Sequence, residues 1–158
     1  MPMIQTTWAA KPAPGQVGRR ANMEEWNTLT RIAEVAGIGF AEPVQRGTGA
    51  DQVVPFTTGK FLGLTECDYT IGTDSPGDPI TFPVGWNTPV NEFGVLWAKA
   101  VGACTQGGFV YWNPTTKGYS NTTSGTLIPN AEFDSSAING GIVKIRLRRI
   151  PAAPPAAP

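Results

Sequence analysis

From Ile38 onward, short apolar runs alternate with turn-forming residues along the chain. The runs recur roughly every 8–15 residues and are separated by segments rich in Gly, Pro and Asn. Such spacing is typical of the strands of an antiparallel sandwich or barrel. We therefore predict a mainly β fold, an antiparallel β-sandwich or barrel of jelly-roll-like form, for a domain that spans residues 22–150. The predicted strands are IGFAEPVQ, QVVPF, KFLGLTE, PITFPV, EFGVLWAKAV, FVYWN, TLIPNAEF and GIVKIRLRRI.

The last of these runs has the alternation of a half-buried strand. Its residues alternate between a mostly cationic set and a mostly apolar set, which predicts that one face of the strand points toward the core and the other toward solvent. The cationic set is Ile142, Lys144, Arg146 and Arg148, and the apolar set is Val143, Ile145, Leu147 and Arg149.

The run FVYWN carries large side chains on both faces of the predicted strand. Phe109 and Tyr111 share one face, and Val110 and Trp112 share the other. A ligand-stacking platform needs its aromatic rings on one exposed face, so this distribution favours burial in the core or at an interface. The following NPTTKG predicts a hairpin loop in which Gly118 supplies a positive φ.

The segment NMEEWNTLTRIAEVAG has the spacing of a short helix. Asn22 and Glu25 form a box-like N-terminal pair, and Gly37 offers a stop. We therefore predict a helix of about fifteen residues, with apolar positions at Met23, Trp26, Leu29, Ile32 and Ala33. The alternative is an extended segment, since Thr28, Thr30 and Ile32 favour a strand.

Both ends of the chain lack the pattern of a core element. Residues 1–21 contain several Pro and Gly residues and a single large apolar anchor, Trp8. Fixing such a segment costs about 1 kcal/mol or more per residue, so we expect an extended arm that is disordered or ordered by something outside the domain. Residues 151–158, PAAPPAAP, predict an extended polyproline-like tail.

Charge is distributed unevenly along the chain. Only 15% of the residues are charged and the net charge is zero, but residues 1–23 carry three bases and no acid. Residues 24–134 carry five bases against twelve acids, and residues 135–158 carry four bases. Basic ends on an acidic body suggest termini that reach an acidic partner, such as a neighbouring copy of the chain. The alternative is that the arginines of the last strand simply face water. An acidic body disfavours nucleic acid as a partner.

The composition argues against catalysis and against export. The absence of His removes the commonest general base and metal ligand, and two cysteines are too few for a structural zinc site. We expect Cys67 and Cys104 to be free thiols, as in a protein made in a reducing cytoplasm. No run of residues is apolar enough to span a membrane, and the N-terminus lacks a signal-peptide pattern. The clustered acids are interpreted as solvated loop residues rather than an acid pair or calcium site: Glu66, Asp68, Asp74 and Asp78.

Several landmarks together resemble the structural cement, or head-decoration, proteins of tailed bacteriophages. They are GRRANMEEWNTLTR, IGFAEPVQRGTG, KFLGLTECD, GVLWAKAVGACTQGGFVYWNPTTKGYSN and TLIPNAEFDSSAINGGIVKIRLRR. The resemblance covers about residues 15–150 and implies a β-rich domain on the outside of a major-capsid shell. It also implies homodimers or homotrimers at symmetry axes, which hold neighbouring capsomers together.

The resulting hypothesis is a non-enzymatic cement protein that stabilises a phage head. It is made in the host bacterial cytoplasm, resides on the outer capsid surface of the virion, and has the major capsid protein and itself as partners. It needs no cofactor or metal and binds neither nucleic acid nor membrane. The residues expected to contact the capsid or another partner are Trp8, Arg19, Arg20, Trp26, Arg146 and Arg148. The alternative is a carbohydrate-binding module or head-fibre-type attachment protein, with sugar-stacking candidates Trp86, Trp97, Tyr111 and Trp112.

Overall fold

The computed structural model describes residues 14–71 and 79–148. The described residues form nine β-strands and no helix. The predicted contact residue Trp8 and the predicted tail lie outside the described residues, so the limits of arm and tail stay predictions. The strands are β1 (Asn27–Ala33), β2 (Pro43–Arg46), β3 (Gln52–Pro55), β4 (Phe61–Thr65), β5 (Asn87–Lys99), β6 (Phe109–Asn113), β7 (Gly118–Ser120), β8 (Thr126–Phe133) and β9 (Ile142–Leu147).

The first five strands close into a barrel. They are hydrogen-bonded in the order β1-β3-β2-β4-β5, and β5 returns to β1. The β1–β3 pair is parallel, whereas the other pairs of the ring are antiparallel. Closure removes the free edges of the sheet, which would otherwise be open to unwanted pairing. The mainly β prediction is confirmed, and its barrel alternative describes this half of the molecule.

The remaining strands form a second sheet that shares β5 with the barrel. Its order is β5-β9-β8-β6-β7, and every pair is antiparallel. A bridge between Ala100 and Tyr119 brings β7 back to the chain just after β5. Within the 13-residue β5, Gly94 has a φ of 124°, a conformation that other residues rarely adopt. It lies where β5 passes from the barrel into the second sheet, so one strand organises both parts.

The buried apolar side chains form two clusters. β5 contributes to both, with Val90 in the barrel cluster and Leu96 and Ala98 in the larger cluster of the second sheet. The larger cluster also receives Trp112, which is 5% exposed. The barrel cluster contains Ala33, Ile38, Val44, Val53, Ile71, Phe82 and Val90. Two cores on one shared strand make the described domain a single packed unit.

The helix predicted from Asn22 is wrong, because residues 27–33 form strand β1. The strand alternative, based on Thr28, Thr30 and Ile32, is confirmed. β1 pairs with β5 over six positions and also with β3. These pairings satisfy the backbone hydrogen-bonding groups of β1 along both of its edges. The stabilisation gained from the partner strands outweighs the local preference of the sequence for a helix.

The FVYWN strand is buried on one face only. Val110 and Trp112 are in the core, as predicted, but Phe109 is 71% exposed. The predicted hairpin between β6 and β7 is present, and the Asn113 carboxamide oxygen accepts hydrogen bonds from two amides of the turn. The positive φ falls on Lys117 (49°), so the assignment of that role to Gly118 was wrong.

The described end of the predicted arm pairs with the domain itself. The Gly18 amide donates to the Trp97 carbonyl, and the Trp97 amide donates to the Arg19 carbonyl, each at 2.8 Å. The Ala21 amide donates to Val95 at 2.8 Å. Residues 18–21 thus cover the edge of β5 opposite β9, so this part of the predicted arm packs against the domain. The alternation predicted for β9 is confirmed, since Val143, Ile145 and Leu147 are buried. Cys67 and Cys104 are free, as predicted.

Candidate partner-contact surface

Arg20 connects the N-terminal segment to the barrel. Its Nε and one Nη donate to the two carboxylate oxygens of Glu66, at 3.0 and 3.2 Å. The same carboxylate accepts from the Thr28 hydroxyl at 2.8 Å and from the Asn91 amide at 3.0 Å. Two-pronged Arg–carboxylate pairing fixes orientation as well as adding energy. We call Arg20, Thr28, Glu66 and Asn91 the Arg20 network; it fixes residues 18–21 against β1, β5 and the end of β4.

The Glu66 carboxylate is largely enclosed, with 12% of its side chain exposed. Burial alone would raise its pKa, but the hydrogen bonds from Arg20, Asn91 and Thr28, together with the Arg20 charge, bring the pKa below its ordinary value. The carboxylate therefore stays ionised near neutral pH. Our interpretation of Glu66 as a solvated loop acid was wrong.

Trp26 lies on top of this network and is partly open to solvent. The Arg20 guanidinium carbon is 4.2 Å from the centre of the Trp26 ring, within range of a cation–π contact. Behind it, a Cβ on Gly94 would be 2.9 Å from the Trp26 Cβ, so this backbone approach requires glycine. Trp26 nevertheless stays 43% exposed, and neighbouring Met23 is 94% exposed. The Trp26 side chain is held in place yet available to a partner.

A shallow cleft joins these exposed side chains to the N-terminal segment. It has a volume of about 390 Å³ and is lined by Gly18, Arg19, Arg20, Asn22, Met23, Trp26, Glu66 and Cys67. Arg19 also lies 6.0 Å from the ring of Tyr69, which is 64% exposed. Trp, Tyr and Arg are the residues enriched at the energetic centres of protein interfaces. We call Arg19, Met23, Trp26 and Tyr69 the Trp26 surface; its chemistry suits a protein partner.

Comparison with known proteins identifies the family. Residues 4–148 match the family model described as structural cement protein (E217 gp24/Pam3 gp6). The chain belongs to this family. The predicted resemblance is therefore confirmed, and the match spans both the barrel and the second sheet.

A solved structure shares the fold of this cement protein. One chain of the structure titled "The capsid of Myoviridae Phage XM1" superposes with a TM-score of 0.65 and is 11% identical in sequence. The superposition covers 91% of the cement protein and 96% of the phage XM1 chain. No curated protein sequence matches the chain. The family and the fold together support a structural role in a phage capsid.

Two further arginines predicted as contacts are paired within the cement protein. An Nη of Arg146 lies 2.8 Å from Glu24 and 2.9 Å from Asp134. Arg148 pairs with Glu132 across the β8–β9 ladder. The alternative that these arginines face water describes Arg148, whose side chain is 61% exposed, but not Arg146, whose side chain is 28% exposed and paired with two acids. Arg146 instead holds the segment before β1 against the second sheet.

The four candidate sugar-stacking rings occupy different environments. Trp112 is in the core and is only 5% exposed. The Trp97 ring is covered by Lys144, whose ammonium is 5.2 Å from its centre, and by the backbone of Gly15. Trp86 is 43% exposed at the end of the barrel, and Tyr111 lies in β6 of the second sheet.

The described residues do not assemble a metal site or a membrane span. Within residues 14–71 and 79–148, no three acidic, Cys or His side chains come together as metal ligands. No helix in this part of the chain is able to cross a bilayer. Asp68, interpreted from the sequence as a solvated loop acid, lies in a loop and accepts from the Thr70 amide and hydroxyl. Asp74 and Asp78 lie outside the described residues.

Three members of this region were not predicted as partner-contact residues. Met23 was assigned to the apolar face of a helix, and Glu66 and Tyr69 had no assigned partner. The Arg20–Glu66 pair joins residues 46 positions apart, so no local pattern indicates it. Tyr69 lies between Asp68 and Thr70 in a turn, and an aromatic residue in a turn is the one local sign that could have marked it.

Proposed function

We propose that this cement protein binds the outer surface of the major capsid lattice of a phage head and stabilises it. The observation that carries the proposal is the family match over residues 4–148, which includes the Trp26 surface. The protein acts by binding and performs no chemistry. It is made in the bacterial host and then resides on the virion.

The Trp26 surface is the first part to meet the capsid. Trp26 is fixed by Arg20 and by the close backbone of Gly94, so little side-chain freedom is lost when a partner covers it. Met23 is exposed and has a flexible side chain that fits irregular apolar surfaces. Arg19 supplies a charge that can pair with a capsid carboxylate. Arg20 acts chiefly by positioning Trp26, since Glu66 already occupies its guanidinium.

The N-terminal arm adds a second attachment point. Its described end runs along β5, and Trp8 and Lys11 precede that end in the sequence. Ordering of the arm on a neighbouring subunit, in a homodimer or homotrimer or on the capsid, links two surfaces through one chain. A second linked contact acts at a high effective concentration, so modest individual affinities give stable occupancy.

The test is retention of purified variants on heads that lack this protein. Trp26→Ala is compared with Trp86→Ala, because both tryptophans are 43% exposed in the wild type. We expect Trp26→Ala to weaken binding about tenfold or more, as for a central interface aromatic, and Trp86→Ala to bind as the wild type does. A third variant that lacks residues 2–13 removes Trp8 and Lys11 but keeps the segment paired with β5, and it is expected to bind less tightly.

Each outcome has a separate meaning. A folded wild-type protein that does not sediment with heads would contradict the proposed function. Equal binding by Trp26→Ala and the wild type would contradict the assigned surface only. Unchanged occupancy after deletion of residues 2–13 would exclude that part of the arm as an attachment point. Titration of the wild type with a glycan panel tests the carbohydrate alternative, and a saturable change in tryptophan fluorescence would favour that alternative.

A further inference from the structure

A second cleft lies where the barrel meets the end of β9. Its volume is about 210 Å³, and its lining residues are Arg46, Lys60, Phe61, Leu62, Glu92 and Arg148. Three of the six are cations and one is an acid. This composition is opposite to that of residues 24–134 as a whole, which carry five bases against twelve acids.

Arg46 and Lys60 line this cleft from the ends of two neighbouring strands. Arg46 is the last residue of β2, Lys60 directly precedes β4, and both lie next to the Gln45–Phe61 pair that ends the β2–β4 ladder. Both are exposed. Two like charges that line one small cleft repel each other. This arrangement therefore costs the folded protein some stability unless an anion lies between the two side chains.

No anion of the described chain fills that position. The side chains of Arg46 and Lys60 make no ion pair or hydrogen bond within residues 14–71 and 79–148. By contrast, Arg31 pairs with Asp51 at 3.6 Å. Glu92, the acid of the cleft, accepts instead from the Asn27 amide at 2.7 Å.

The loop before Lys60 is held in place. The Gln45 carboxamide oxygen accepts from the amides of Thr57 and Gly59, each at 2.9 Å. A Cβ on Gly59 would be 2.8 Å from the end of the Gln45 side chain, so the two residues are in close contact. The backbone that carries Lys60 is therefore fixed before any ligand arrives, which lowers the cost of binding.

We propose that this cleft binds an acidic segment of the capsid protein, with a carboxylate placed between Arg46 and Lys60. The inference rests on the proposed function and adds a second contact surface of defined chemistry. Phe61 and Leu62 offer an apolar floor for the backbone and stems of such a segment. A small cleft on an otherwise acidic body favours a short peptide over nucleic acid, whose continuous phosphates the surrounding acids would repel.

The experiment uses Arg46→Gln, Lys60→Gln and the double variant, with Lys99→Gln as the matched control. Lys99 is an exposed lysine of β5 that does not line this cleft. Binding to heads that lack the protein is measured at low and moderate salt. We expect the double variant to bind about tenfold more weakly at low salt and to lose part of its salt dependence. The thermal midpoint of the double variant should be equal to or slightly above that of the wild type, because a like-charge pair is removed.

A binding assay without heads separates this inference from the proposed function. Poly-L-glutamate should bind the wild type and Lys99→Gln but not the double variant, whether or not heads are bound. Equal binding of poly-L-glutamate by the wild type and the double variant would overturn the inference. So would a double variant with wild-type affinity and salt dependence on heads. An oligonucleotide that binds the cleft while poly-L-glutamate does not would assign the cleft to nucleic acid and also overturn it.

Discussion

The Glu66→Gln substitution tests the physical basis of the Arg20 network. Gln has nearly the same shape as Glu but carries no charge, and its amide nitrogen cannot accept a hydrogen bond. The wild-type carboxylate accepts two bonds from Arg20, one from Thr28 and one from Asn91. At least one of these four bonds is lost, and the Arg20 guanidinium loses its counter-ion.

The expected loss of stability is moderate. The Arg20 side chain is 37% exposed, so the ion pair itself contributes at most about 1 kcal/mol. A hydrogen bond to a charged group contributes about 1.5–3 kcal/mol when buried, and this carboxylate is largely enclosed. A net loss of about 2 kcal/mol follows, which corresponds to a decrease of about 4–8 °C in the thermal midpoint for a protein of this size.

The pH dependence of the difference in stability between the wild type and Glu66→Gln gives a sharper test. The folded-state pKa of Glu66 lies below the ordinary value of 4.5. The advantage of the wild type is therefore fully present above pH 4.5 and declines as the pH falls through the folded-state pKa. Thermal unfolding followed by circular dichroism at pH 7, 5 and 3 measures it.

A matched control separates this effect from a general change of charge. Asp51→Asn also removes one negative charge, but Asp51 is 75% exposed and lies 3.6 Å from Arg31, so its midpoint should stay close to that of the wild type. A Glu66→Gln variant as stable as the wild type at pH 7 would refute the reasoning. A difference that persists undiminished at pH 3 would also refute it.

Three other substitutions or reactions test separate parts of the structure. Gly94→Ala should destabilise the protein by about 2 kcal/mol in chemical denaturation, because φ is 124° and the new Cβ would press on Trp26; an unchanged unfolding midpoint would contradict that strain. Tyr119→Phe should cost about 1 kcal/mol through the loss of a buried hydroxyl bond to a backbone carbonyl, and thermal melting checks it. Burial raises the pKa of the Cys104 thiol to about 11, so a thiol reagent at pH 8 should modify half-buried Cys67 alone until denaturant is added. Rapid reaction of both thiols in the native protein would contradict the burial.

Most strands were predictable because each produces its own local signal. β9 alternates apolar and cationic residues, and the other long strands are bounded by Gly, Pro or Asn. β7 has only three residues, too few for any alternation to register. The run PITFPV forms only an isolated bridge through Phe82 to Ile38, since its two prolines cannot donate to a ladder.

The remaining features depend on contacts between distant residues. β1 has the spacing of a helix, and its strand form is decided by its partners β3 and β5. The division of the core between a barrel and a second sheet follows from the shared use of β5, which the order of the strands in sequence does not reveal. Arg20 and Trp26 were selected from the sequence as contact residues, but their stacking and the role of Glu66 required the folded chain.

The most direct test of the central claim is the resistance of phage heads to DNA loss. Heads that lack the cement protein are heated alone, with the purified wild type, or with Trp26→Ala, and DNA release is followed by the fluorescence of an added dye. We predict that the wild type raises the release temperature in a saturable manner and that Trp26→Ala requires a higher concentration for the same effect. A release temperature unchanged by saturating wild-type protein would contradict the claim that this chain stabilises a capsid.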